Sequence, residues 1–306
     1  MEWQTTIQGF LEHIKQARNA SENTIAAYRN DLSQFGDYLT RTLPSDNDWA
    51  HVQATVLDDY VSAIVGKYTT STVARKIAAL KTFFQWLTEN GVIMDNGSHH
   101  LKSPKVDKKA PHILSEDDVA RLMAATATVP APRSLRDRAL LELIYSTGMR
   151  VSEAITLKLS DINFDQAYAR CSGKGTRQRS APLTQRAIAA LNAYLDNARG
   201  NMMTVPTALS GGNGREDVYL FLNPQGRNLT RQAVWLMTRQ YARSCGIGDD
   251  VTPHTLRHSR AAHMLQSGED VKRVQEWFGH ANLATTQMYQ AKKQDNPGSQ
   301  LVVITQ

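Results

Sequence analysis

The sequence predicts a mainly α-helical protein in two parts, a helical bundle followed by an α+β domain with a small antiparallel sheet. Three observations predict it. Apolar residues in the first hundred positions recur at spacings of three and four. A proline- and lysine-rich stretch without periodicity interrupts the chain near residue 100. Beyond it, helical patterns resume and are broken by two short extended runs around a glycine turn. At 306 residues the chain is long for one core and comfortable for two domains.

The elements follow in order. "SENTIAAYRNDLSQFGDYL" puts Ile25, Tyr28, Leu32, Phe35 and Leu39 on one helical stripe. "TSTVARKIAALKTFFQWL" repeats it with Val73, Ile77, Leu80, Phe84 and Leu87, and ends at "ENG", where Gly91 suits the position after a helix C-terminus. With the segments near 5–18 and 54–66 this makes a bundle of about four helices, its apolar positions read as core packing. Ser98–Leu114, "SHHLKSPKVDKKAPHIL", holds two prolines and four lysines and reads as a linker. Ser115 then opens a helix with Glu116, Asp117 and Asp118 in its first turn. A long helical region from Ser134 is interrupted at Gly148. "AYARCSGKGTRQRSAPL" is a β-hairpin whose tip carries Lys174 and Arg177. Helices resume near Thr184–Ala198 and again in "LTRQAVWLMTRQYARSCG", on either side of a glycine-rich loop. The chain ends in "LVVITQ", a β-branched run that reads as a short strand. The expected divisions are 1–98, a linker at 99–113, a second domain over 114–290 and a tail at 291–306.

Charge narrows the function. Residues 1–100 carry 8 Lys and Arg against 11 Asp and Glu, and residues 101–306 carry 27 against 18, so the net +6 divides as −3 and +9. A basic C-terminal two-thirds points to a polyanionic partner, nucleic acid being the commonest. In the linker, Lys102 and Lys105 are expected either to lie along a phosphate backbone or to be solvated. No apolar run reaches the roughly 18 residues a membrane span needs. No secretory signal is readable in "MEWQTTIQGF". The two cysteines, Cys171 and Cys245, have no metal-like spacing, which fits a reducing cytoplasm.

The chemistry concentrates in "VTPHTLRHSRAAHML", Val251–Leu265. Thr252 is a good N-cap and Pro253 suits the first helical position, so His254 and Arg257 share a face. His254 and His258 have the H-x-x-x-H spacing of a zinc helix, but that motif needs a glutamate after the first histidine and Thr255 stands there. A guanidinium three residues after a histidine suits a phosphate instead, because it makes paired hydrogen bonds to two oxygens and keeps its charge. Taken alone, Arg257 reads first as an ordinary surface or salt-bridged arginine.

Other segments extend the pattern. "YSTGMRVSEAITLKLSDI" places Arg150 after a Gly-Met turn with Glu153 one helical turn on, and "EWFGHANLATTQMYQ" places His280 after Gly279 with Tyr289 nine residues later. This ordered set resembles the tyrosine recombinase (phage integrase-like) family, most closely its Xer-like branch. The family pattern is an arginine in "TG-x-R-x-x-E", a lysine on a β-hairpin, "H-x-x-R-H", "GH" and then a tyrosine; it spans roughly residues 112–290. The helical N-terminal region resembles the family's SAM-like core-binding domain.

The resemblance implies roles. Tyr289 would attack the scissile phosphodiester to give a 3′-phosphotyrosine. Arg150 and Arg257 would clamp its non-bridging oxygens, and Lys174 would be general acid for the 5′-oxygen. His254 would accept or orient the tyrosine proton, His280 would donate to a phosphate oxygen, and Glu153 would orient Arg150. Cofactor and metal are not implied. Arg177, Arg179, Thr230, Arg231 and Gln232 are expected DNA contacts, with Arg177 and Arg179 otherwise solvated hairpin charges. His258, His263, Tyr145, Trp277 and Phe278 are read as structural. The implied partners are duplex DNA with an inverted-repeat core site, a homotetramer with a dimer on each site, and accessory proteins, in the cytoplasm at the nucleoid. Integration, excision and dimer resolution stay open as roles. Two alternatives also stay open: a type IB topoisomerase-like nicking-closing enzyme, and a catalytically silent DNA-binding regulator.

Four departures from the family pattern stand out. Arg260 occupies an aromatic's place, Phe278 replaces a leucine, the loop Gly200–Asp217 is long, and the tail after Tyr289 reads as linker plus strand instead of a helix. Leu301–Thr305 is expected to add a strand to a neighbouring subunit.

Overall fold

The computed structural model describes residues 3–17, 20–43, 48–106, 111–171, 178–202 and 219–279. These fall into two units, Met1–Lys109 and Ala110–Gln306.

The first unit is built from α1 (Trp3–Ala17), α2 (Glu22–Thr42), α3 (Ala54–Ile64) and α4 (Thr70–Glu89). Ser21 and Thr69 cap α2 and α4, each side chain accepting the backbone N–H three residues on. Gly91 follows α4 in the left-handed region at φ 66°. The stripe read from sequence faces inward: Leu32, Phe35, Leu39, Ile77, Leu80, Phe84 and Leu87 are all buried. Aromatic edges interlock there, with Trp3 against Trp49 at 4.6 Å and Phe35 against Tyr60 at 4.9 Å between ring centroids. A charged pair, Lys76 and Asp31, enters this core. Lys76 is 1% exposed, and its Nζ donates to Asp31 Oδ1 at 3.0 Å and Gln34 Oε1 at 2.8 Å. A buried ammonium persists only with such partners.

The second unit begins with α5 (Glu116–Ala125), capped by Ser115, whose Oγ accepts from the Asp118 N–H at 3.1 Å. Next comes α6 (Arg133–Thr147), a central helix whose Ala139, Leu140, Leu141, Leu143 and Ile144 are all fully buried. A helix buried on most of its circumference belongs in the middle of a domain, and its buried polar groups must find partners there. Its buried Asp137 accepts from the Arg136 guanidinium and, at 2.7 Å, from the Tyr241 hydroxyl. The helix stops at left-handed Gly148, as the sequence suggests, and α7 (Val151–Thr156) follows.

A small antiparallel sheet, β1 (Ile162–Asn163), β2 (Tyr168–Cys171) and β3 (Arg179–Pro182), lies in the order β1-β2-β3. The β2–β3 pairing runs from Tyr168 opposite Pro182 to Cys171 opposite Arg179, which is the expected hairpin. The two-residue β1 was not expected, because two residues are too few to show a period. The hairpin tip with Lys174 and Arg177, the His280–Tyr289 segment and the tail with Leu301–Thr305 lie outside the described residues.

After β3 come α8 (Gln185–Tyr194), a π-helical turn and the short α9 (Gly200–Met202). The last elements are α10 (Arg231–Ser244), α11 (Pro253–Gln266) and α12 (Val271–Phe278). Among the described residues the protein is thus mainly α with one small antiparallel sheet, and no helix there is long and apolar enough to cross a membrane.

Candidate active site

The site assembles where α7, β3, α11 and the end of α12 meet. Helix α11 starts as its sequence requires: Thr252 Oγ1 accepts from the Thr255 N–H, and Pro253 occupies the first turn. One face then carries His254, Arg257 and His258. The opposite face is structural. His263 Nδ1 accepts from the Tyr145 hydroxyl at 2.7 Å, so its Nε2–H donates to Leu114 O at 2.9 Å, and Ser259 Oγ accepts from the Leu114 N–H at 2.8 Å.

Arg257 is 4% exposed, not an ordinary surface arginine. Its guanidinium donates to Gly148 O and, at 2.6 Å, to Phe278 O, and it stacks 5.1 Å from the Phe278 ring centroid. Gly148 makes this approach possible. It sits at φ 61°, and a Cβ there would lie 2.4 Å from two Phe278 ring atoms.

Arg150 is the N-cap of α7 and, at 36% side-chain exposure, the more open of the two arginines. Its backbone N–H donates to Glu153 Oε2 at 2.7 Å, its Nη1 to Glu153 Oε1 at 3.2 Å and its Nη2 to Gly279 O at 3.2 Å. Glu153 does orient Arg150, and it also holds a second arginine. Arg179 Nη1 and Nη2 reach its two oxygens, each at 2.9 Å. Burial raises the Glu153 pKa, but the hydrogen bonds from Arg179 and from the Arg150 backbone outweigh it and bring it down to about 2. The carboxylate is a fixed anion that neutralises the flank of a strongly cationic site.

His254 stands one turn before Arg257, partly open to solvent. Desolvation, then the Arg257 and Arg150 guanidiniums, lower its pKa, so at neutral pH it can accept a proton. His258 lies behind it, ring centroids 6.1 Å apart. Desolvation, His254 and Arg257 bring its pKa down to about 4.

The structure therefore brings Arg150 and Arg257 to the end of α12, immediately before His280 in the chain, with His254 within the electrostatic reach of both guanidiniums. Lys174, His280 and Tyr289 lie outside the described residues. Among the expected DNA contacts, Thr230 caps α10 through its Oγ1, while Arg231 and Gln232 are exposed on the first turn. Lys102 and Lys105 are exposed in the first unit, and Arg177 lies outside the described residues. Arg179 departs from its reading as a solvated hairpin charge. Its side chain is 11% exposed, because the Glu153 carboxylate draws it inward from the first position of β3. Sequence reasoning missed that pairing; its only sequence signal was an arginine outside the glycine turn, at the foot of a strand.

Comparison with known proteins places the chain in a family. Residues 112–296 match the phage integrase family, and residues 7–91 match the phage integrase N-terminal SAM-like domain. The chain belongs to the phage integrase family. Its Xer-like character shows in two relatives. It is 41% identical over 287 residues to tyrosine recombinase XerC of Roseiflexus sp. (strain RS-1), covering 92% of this chain and 88% of the relative. It is 36% identical over 289 residues to tyrosine recombinase XerD of Oceanobacillus iheyensis, covering 92% of each. The fold of this integrase-family chain is shared by XerH recombinase bound to palindromic difH substrate in a post-cleavage complex. There the TM-score is 0.74 at 22% identity, over 95% of this chain and 82% of the other. It is also shared by a lambda integrase dimer on a COC′ core site, with TM-score 0.73 at 16% identity over 99% and 100%. As an integrase-family protein the chain is an enzyme of the tyrosine recombinase class.

Proposed function

We propose that this chain is a site-specific DNA recombinase that cuts and rejoins duplex DNA through Tyr289. The observation that carries the reading is the convergence of Arg150 and Arg257 on the end of α12, with His254 beside both guanidiniums, just before His280 and Tyr289 in the chain. The phenolic oxygen of Tyr289 attacks the scissile phosphorus and forms a 3′-phosphotyrosine, while the bond to the 5′-oxygen breaks. Lys174 supplies the proton that the leaving 5′-hydroxyl takes, and neutral His254 receives or orients the proton lost by the tyrosine. Arg150 and Arg257 stabilise the charge that grows on the non-bridging oxygens, and His280 donates to one of them. The ester keeps the bond energy, so a 5′-hydroxyl from the partner duplex reseals it.

In this reading residues 1–98 bind DNA, 99–113 link and 114–290 carry the chemistry, with Lys102, Lys105, Arg177, Thr230, Arg231 and Gln232 on the phosphate backbone. Two protomers occupy an inverted-repeat site and four form the synapse, which passes through a Holliday junction. Tail residues 291–306 reach a neighbouring subunit. We place the protein in the cytoplasm at the nucleoid, acting in integration or excision of a mobile element or in dimer resolution.

The test uses a nicked duplex whose crossover site is selected from a random-core library by covalent capture. The wild-type chain should form a protein–DNA adduct that Tyr289→Phe loses. A wild-type chain that captures no duplex refutes recombination and favours a silent DNA-binding regulator. Relaxation of any supercoiled plasmid without site preference favours the type IB topoisomerase reading. Deleting residues 297–306 should weaken synapsis and leave the monomer folded; unchanged tetramer assembly refutes the role of the tail.

A further inference from the structure

Three consecutive carbonyls end α12 on its way to His280, and each is held by a different arginine. Trp277 O accepts from Arg179 Nε at 2.8 Å, Phe278 O from Arg257 Nη2 at 2.6 Å, and Gly279 O from Arg150 Nη2 at 3.2 Å. These arginines come from three separate elements: β3, α11 and the N-cap of α7. Arg150 and Arg257 are accounted for as the phosphate clamp; Arg179 is not.

Arg179 differs from them in how its guanidinium is used. Both terminal nitrogens are engaged by the two oxygens of Glu153 and the third nitrogen by Trp277 O. The same guanidinium packs against left-handed Gly279, where a Cβ would meet Arg179 Nη1 at 3.4 Å. Each of its three nitrogens donates to a protein acceptor, and Glu153 passes the constraint on to the Arg150 backbone and side chain. One planar fork thus ties the foot of the hairpin strand, the Arg150 anchor and the helix end that leads to His280. Only a guanidinium has the geometry to bind a carboxylate through two nitrogens and a carbonyl through the third.

We propose that Arg179 is a positioning residue for strand cleavage, holding Arg150 and the end of α12 in one fixed arrangement. The assignment rests on the recombinase reading above and replaces the direct DNA contact that the sequence suggested for this arginine. A displacement of about 1 Å in a phosphate-gripping group is enough to slow a reaction about 100-fold.

The experiment uses the full chain and the nicked duplex defined above. Arg179→Lys keeps the charge and loses the fork. Single-turnover cleavage at saturating protein should fall about 100-fold, while duplex Kd stays within about 3-fold and its salt dependence is unchanged. The defect should persist on a substrate whose bridging 5′-oxygen is replaced by sulfur, a leaving group that needs no proton. Wild-type rates in Arg179→Lys overturn the proposal, since charge alone then suffices. A weaker Kd with a salt slope reduced by about one assigns Arg179 to DNA contact instead. Recovery on the sulfur substrate assigns it to Lys174 and also overturns the proposal. Should Arg179→Lys not fold, Glu153→Gln/Arg179→Gln, which removes both charges, carries the same measurements; loss of DNA binding together with cleavage in both variants makes the pair structural and overturns the proposal. A wild-type chain that forms no adduct refutes the recombinase reading itself, independently of either variant.

Discussion

Substituting Gly148 by alanine tests how the clamp is held. The residue lies at φ 61° and ψ 21°, where an L side chain costs roughly 1–2 kcal/mol. The new Cβ would also stand 2.4 Å from Cε1 and Cζ of Phe278 and 2.9 Å from Cδ1. That ring is 1% exposed, so it has no free space to enter, and such overpacking costs about 1–3 kcal/mol more. The sum, about 2–5 kcal/mol, corresponds to a loss of roughly 10 °C in the transition of a unit of this size. Function should suffer beyond stability, because Phe278 O is an acceptor for Arg257 and its ring lies under the same guanidinium. Cleavage should slow by about 10- to 100-fold at a temperature where the variant is folded.

Gly246→Ala is the control, since Gly246 has a similar φ of 71° with nothing within 4 Å of the added carbon. It should lose only the backbone term. Scanning calorimetry and single-turnover cleavage of both variants decide the matter. Equal loss of stability in the two, or wild-type cleavage in Gly148→Ala, refutes the argument that Phe278 and Arg257 lock against this glycine.

Two further predictions concern protons. Glu153 has a pKa of about 2 against an ordinary 4.5, so the unfolded chain binds its proton more readily. Its contribution is complete above about pH 5 and is lost as pH falls toward about 2, amounting to about 3 kcal/mol. Denaturant titrations of wild type and Glu153→Gln across that range should converge at low pH; a constant difference refutes the linkage. For His258, whose pKa is brought down to about 4, the ring proton resonances should titrate with a midpoint near 4, well below those of an exposed histidine. A midpoint at the ordinary 6.5 or above contradicts the burial and the nearby His254 and Arg257 that cause the shift.

Much of this protein is legible in one dimension. Helix existence, the Ser115 and Thr252 caps, the break at Gly148 and the hairpin are all local events, set by side-chain period and by hydrogen bonds a few residues apart. Tyr28 shows the limit of the stripe: it is on the predicted face yet only partly buried, whereas Lys76, read as polar, is enclosed because Asp31 and Gln34 on another helix satisfy it.

The candidate site divides in the same way. Arg150, His254 and Arg257 were found from residue type and order, since phosphate chemistry restricts which side chains serve and their short spacings survive as motifs. What only the tertiary structure decided is how they are held. Arg179 lies 26 residues from Glu153 and 98 from Trp277, and Arg257 lies 109 from Gly148. Those pairings exist because a buried carboxylate and the carbonyls at a helix end must find donors once water is excluded. Which donors satisfy them depends on which elements pack side by side, and that is a property of the folded chain.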